Sequence, residues 1–158
     1  MVTSDEYNAA NRLVALRDRR DFWRDRPDQE RTFQENVSSL AKELRERLRD
    51  ISDRLGDGMI LELDIKSTFG LFLREKGSTE PVAKCYINAT NSGVIHLQLL
   101  GRGLDEQSEK LVLDVSRAHH VIWRNGSEVV ADLAAFVVTR FLDLCCNVMK
   151  SETPEPQW

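Results

Sequence analysis

The sequence predicts an α+β fold: two N-terminal helices, an antiparallel meander of five to six strands, and one long C-terminal helix, with the helices packed on one face of the sheet. Three observations predict it. A single apolar stripe runs through residues 33–55 at helical spacing, the period switches to two from Met59 onward, and an apolar-rich segment of helical period occupies 128–150. The helices flank the strand block, so they cannot all be crossovers between parallel strands. A helical layer on an antiparallel sheet is the architecture left.

Ser4, followed by Asp5 and Glu6, has the form of a helix start, a capping hydroxyl with acids in the first turn. The first helix runs to about Trp23. Its apolar residues (Tyr7, Leu13, Val14, Leu16, Phe22, Trp23) scatter around the wheel and define no single packing face, so residues 1–26 read as a helix that can serve as an arm. Pro27 then suits the first turn of a second helix, with Asp28 and Glu30 near the positive end of its dipole. Phe33, Val37, Leu40, Leu44, Leu48, Ile51 and Leu55 form the stripe of that helix, and the glycines at 56 and 58 stop it.

The strands follow. Leu61, Leu63 and Ile65 alternate with Glu62, Asp64 and Lys66; Phe69, Leu71 and Leu73 with Gly70, Phe72 and Arg74; Ala83, Cys85 and Ile87 with Lys84, Tyr86 and Asn88; Ile95, Leu97 and Leu99 with His96 and Gln98. Turn residues at 67–68, 77–78 and 91–93 separate these runs. A loop over 101–110 leads to a fifth strand at 111–115, a sixth covers 120–124, and residues 125–127 are expected to cap the last helix. Along 128–150 the charged and polar residues gather into a sector about 120° wide. The rest of the girth is apolar except that Phe136 also sits in the polar sector. Such a helix needs two covers: one flank lies on the sheet, and the other meets either the 33–55 helix or a second copy of the molecule. Residues 1–150 read as one domain and 151–158, with two prolines and two acids, as a disordered tail.

Composition narrows the function classes. A chain of 158 residues, 41% hydrophobic and 30% charged, is of single-domain size and globular in character. Its net charge of −4 hides a division. Twelve basic and thirteen acidic residues lie in 1–58, eight of each in 59–126, two and five in 127–158. No segment is a basic nucleic-acid footprint, so a nucleic-acid partner is disfavoured. Asp132, Arg140 and Asp143 inside the last helix argue against a membrane span. The first residues lack the charged and apolar regions of a signal peptide, and Cys85, Cys145 and Cys146 lack metal-ligand spacing. Free thiols and a cytoplasmic location are the expectation.

Candidate chemistry is sparse. Glu62, Asp64, Arg74, Lys84, Tyr86 and His96 share the polar face of the sheet, which could equip acid–base work but is also what any half-solvated sheet displays. Glu62-x-Asp64-x-Lys66 matches the metal-and-lysine element of a nuclease group over too few residues to carry weight. The pair His119–His120 would point to opposite faces of a strand, which disfavours a shared metal. Segment 17–26 interleaves arginines with Phe22 and Trp23, but Asp18, Asp21 and Asp25 neutralise much of it. Neither a cofactor nor a catalytic set is expected. The sequence therefore predicts a non-enzymatic protein-interaction module, adaptor- or chaperone-like and self-associating, which contacts partners through Phe136, Val137, Phe141, Leu144 and Val148 of the last helix and through Arg19, Arg20 and Trp23. The alternative is a small-ligand domain with an apolar pocket between sheet and last helix.

Overall fold

The computed structural model describes residues 1–24, 28–66, 68–90, 93–115 and 121–154; side chains 22–24, 28, 29, 90 and 115 lie outside that description. Helices α1 (Ser4–Arg24) and α2 (Asp28–Leu55) precede strands β1 (Met59–Asp64), β2 (Gly70–Glu75), β3 (Ala83–Thr90), β4 (Val94–Gly101), β5 (Gln107–Val115), β6 (Val121–Asn125) and β7 (Glu128–Val130), and α3 (Leu133–Glu152) follows. The strands form one sheet in the order β1-β2-β3-β4-β5-β6-β7, and every neighbouring pair is antiparallel. The predicted meander is present, with seven strands where five to six were expected.

The extra strand has a local cause. Residues 125–127 do not cap the last helix; Asn125 ends β6 and residues 126–127 are the turn of a hairpin that pairs Trp123 with Val130 and Asn125 with Glu128. The two loop residues are Gly126 and Ser127, and a glycine in the first loop position takes the left-handed φ, here 59°, that two-residue hairpin turns require. The helix cap falls at Asp132, whose Oδ1 accepts the Ala135 amide at 3.0 Å. At its other end α3 runs to Glu152, two residues into the expected tail; residues 155–158 lie outside the described ones. Two smaller boundaries also moved. Thr3, not Ser4, caps α1: its Oγ1 accepts the Glu6 amide at 3.1 Å while Glu6 reaches back to the Thr3 amide at 3.4 Å, a reciprocal capping box. Strand β1 stops at Asp64, whose carboxylate accepts the Lys66 amide at 3.0 Å, and the bend leaves Ile65 41% exposed.

Register places the core. Leu61↔Leu73, Leu71↔Cys85, Cys85↔Leu99, Ile95↔Leu111 and Leu113↔Trp123 are Cα partners, so one face is a continuous apolar layer. Helices α2 and α3 lie on it, α2 against β1 and α3 against β3 and β4. The α2 stripe is buried as its spacing requires: Phe33, Leu40, Leu44 and Leu48 are in the core, with Val37, Ile51 and Leu55 packed against it. The Phe33 ring sits 6.0 Å from that of Trp123 on β6, whereas the C-terminal end of α2 feeds β1 through Gly56 (φ 76°). The helix therefore crosses the sheet from one margin toward the other.

Candidate interaction surfaces

The two covers of α3 both come from this chain. One flank lies on β3 and β4, where Ala134, Val137, Phe141 and Val148 are fully buried. The other meets α2: Arg47 pairs with Asp132 at 2.6 Å, and Ile51, Ala135 and Val138 border a crevice of about 240 Å³ between the helices. The exposed residues of α3 are Thr139, Asp143, Cys146, Asn147, Lys150, Ser151 and Glu152. Val137, Phe141, Leu144 and Val148, expected as contacts for a partner, are thus core residues. Phe136 is half-buried beneath the Arg140 guanidinium, 4.7 Å from its ring centre. Their periodicity was read correctly, but a helix crossing both a sheet and a second helix consumes the same apolar girth that a dimer would.

The polar face of the sheet is self-neutralised. Register aligns Glu62, Phe72 and Lys84 in one row, and Asp64, Gly70, Tyr86 and Gln98 in the next. The Arg74 guanidinium donates to Glu62 and, at 3.3 Å, to the Ser78 carbonyl; Arg124 pairs with Asp114 at 2.9 Å. Phe72 and Tyr86 meet edge-to-face with centroids 5.8 Å apart. His96 is exposed between Asn88 and Lys110, and Lys66 lies past the end of β1, off the row of Glu62 and Asp64. Glu62 with Arg74 and Asp114 with Arg124 are cross-strand ion pairs, and Asp64 accepts from the Lys66 amide and the Thr68 hydroxyl. Phe72 stands between Lys84 and Glu62, and His96 lies in another row of the ladder. Among the described residues no three His, Cys, Asp or Glu side chains gather to hold a metal ion. His119 and His120 lie outside those residues. No described helix is long and apolar enough to cross a membrane.

The N-terminal helix differs from the rest of the molecule. Arg19 reaches back to the body, donating to the Leu113 carbonyl at 3.0 Å and to the Gly93 carbonyl at 3.3 Å. Burial there pulls its pKa down and Asp114 opposes the shift. Residues 1–18, by contrast, are exposed without interruption. Tyr7, Leu13, Val14 and Leu16 keep 61%, 68%, 44% and 65% of their surface in water, and among the described residues no other element has so many large apolar side chains exposed. Arg17 and Arg20 pair with the adjacent Asp18 and Asp21 at 3.2 and 2.9 Å, so little positive charge is left over for nucleic acid. Of the three residues expected to contact a partner here, Arg20 is exposed and Arg19 is the anchor; the Trp23 side chain is not described. The four apolar residues were visible in the sequence as the scatter that denied α1 a packing face. That scatter was the signal.

Comparison of the chain with protein-family models, with curated proteins and with solved structures finds no match.

Proposed function

We propose that the protein is an interaction module that engages another polypeptide through α1. The observation that carries this reading is the run of residues 1–18, helical from Ser4 and exposed at every position, with Tyr7, Leu13, Val14 and Leu16 in water. Isolated helices shorter than about 15 residues are marginal in water, and their stability in proteins comes from packing an apolar face. Leu13 and Leu16 are neighbours one turn apart, and with Tyr7 and Val14 on another side they put more large apolar surface in water than any other described element does, which supports a contact surface on α1. The α3 face does not support the reading, because the chain's own sheet and α2 already cover it. A small-ligand pocket between sheet and α3 gains no support either. There Val148 and Leu144 close so tightly on Gly101 that a single added carbon would meet them at 2.7 and 2.9 Å.

The test places a photo-reactive side chain at Tyr7 and, in a separate protein, at Ala9 on the Leu13–Leu16 side, in the tagged chain in its native cells, with and without Leu13→Glu and Leu16→Glu. The expected result is cross-linked polypeptide, a second copy or another protein, that disappears in the double variant while its circular dichroism stays that of the wild type. Cross-linking to no polypeptide at all refutes the reading.

A further inference from the structure

The exposed helix carries a pattern that selects its occupant; the inference rests on α1 being the interacting element. Glu6, Ala9, Leu13, Leu16 and Arg20 recur at steps of three and four and fall within about 80° of one another on the helix. Leu13 and Leu16 are its two most exposed large side chains apart from the terminal methionine. The anchoring Arg19 lies about 100° from the centre of this stripe, so the stripe lies to the side of the anchored face, and all five of its residues are exposed. Charge is mixed at the C-terminal end of α1, where Arg17, Arg19 and Arg20 interleave with Asp18 and Asp21, but within the stripe itself Glu6 stands at one end and Arg20, paired in the single chain with Asp21 at 2.9 Å, at the other.

We infer that α1 pairs with α1 of a second copy in an antiparallel two-helix seam. Turned about Leu13, the stripe is its own complement. Leu13 meets the partner's Leu13, Ala9 meets the partner's Leu16, and Glu6 meets the partner's Arg20 at both ends. A parallel arrangement sets Glu6 on Glu6 and Arg20 on Arg20, and like charges in register are unfavourable. A two-fold axis through Leu13 makes the contact isologous and closed, so it stops at two copies. The seam covers about 15 residues, or about 22 Å of helix, which is shorter than the contact of a standard interface, so association is reversible and concentration-dependent.

Sedimentation equilibrium of the full chain, from low to high micromolar concentration, tests this. The wild type is expected to rise from monomer toward dimer, and Leu13→Glu with Leu16→Glu to weaken the dimer about tenfold or more. Glu6→Arg and Arg20→Glu each weaken it alone, whereas an equimolar mixture of the two single variants, and the chain carrying both reversals, recover wild-type association. Glu6 also closes the capping box with Thr3. Every double-reversal chain, and every Glu6→Arg chain of the mixture, carries that loss, so recovery separates charge pairing from fraying. A wild type that stays monomeric overturns the inference and assigns the face to a different polypeptide. So does a dimer lost on the leucine changes but indifferent to charge reversal, since the helix then seats on the other copy's body. A dimer indifferent to every substitution overturns it as well. A monomer that still cross-links to another protein through Tyr7 retires the self-pairing and leaves the interaction role standing.

Discussion

Replacing Gly101 by alanine should destabilise the protein through one identifiable contact. Gly101 ends β4 beneath the last turns of α3, and a Cβ at that position would lie 2.7 Å from Val148 Cγ2, 2.9 Å from Leu144 Cδ1 and 3.2 Å from Leu104 Cδ1. Carbon atoms pack best at about 3.5–4.0 Å. The two leucine methyls end flexible stems and can turn aside. Val148 cannot: it is β-branched, fully buried and held to one favoured rotamer in a helix. Relief requires α3 to move off the sheet, and overpacking of this kind costs about 1–3 kcal/mol. Relieving glycine's backbone entropy offsets about 0.5–1 kcal/mol of that. The expected net is about 1–2 kcal/mol, a fall of about 2–8 °C in Tm for a chain of this size. Val148→Ala alone should cost about 2–3 kcal/mol in lost burial and cavity. Together the two changes should cost about 1–2 kcal/mol less than their sum, because the new methyl occupies the space the valine vacates. Urea unfolding of the four proteins, followed by circular dichroism at constant m-value, measures the coupling. A neutral Gly101→Ala, or strict additivity in the double variant, refutes the close approach of β4 and α3.

The other expectations are briefer. The Ala135 amide and the Arg47 guanidinium hold the Asp132 carboxyl below its ordinary 3.8. A depressed carboxylate stabilises above its unfolded pKa and loses that contribution as pH falls through its folded value. The stability gap between wild type and Asp132→Asn, which keeps an oxygen for the cap, should therefore be largest at neutral pH and shrink below about 3.8 in acid unfolding curves; Asp132→Ala should cost about 1 kcal/mol at neutral pH. Burial pushes the Cys85 and Cys145 thiols up to about 12, while Cys146 is exposed. Titration with a disulfide reagent should count one thiol in the native protein and three in denaturant. Arg19→Ala removes both carbonyl contacts, and amide exchange in α1 should accelerate while the melting of the sheet changes little. Arg19→Lys should not restore protection, since an ammonium lacks the fork that spans two carbonyls.

Much of the architecture was legible because burial imposes period. The α2 stripe from Phe33 to Leu55 and the alternations through Leu71, Cys85, Ile95 and Leu97 each map onto the core. The misreading at 128–130 came from extending a helical wheel through Val129 and Val130, residues that suit a strand equally well. Gly126-Ser127, a glycine-first pair between two strand-forming runs, was the stronger local signal and decided the matter. For the interacting surface the difficulty was of another kind. Val137, Phe141 and Val148 are apolar whether they face a partner or their own sheet, and sequence alone does not say which surface α2 will cover. Tyr7, Leu13, Val14 and Leu16 were the better clue, since residues without a common face cannot all be buried by one neighbour.

A sheet whose spatial order repeats its chain order has a kinetic consequence. Each strand bonds to the one just made, so every step closes a short loop and the entropy lost per step stays small. Long loop closures fall to the helices: Asn36 accepts from the Trp123 indole across 87 positions, and Arg47 reaches Asp132 across 85. The meander should therefore zip first and be clasped late, with φ-values high for Leu97 and low for Phe33.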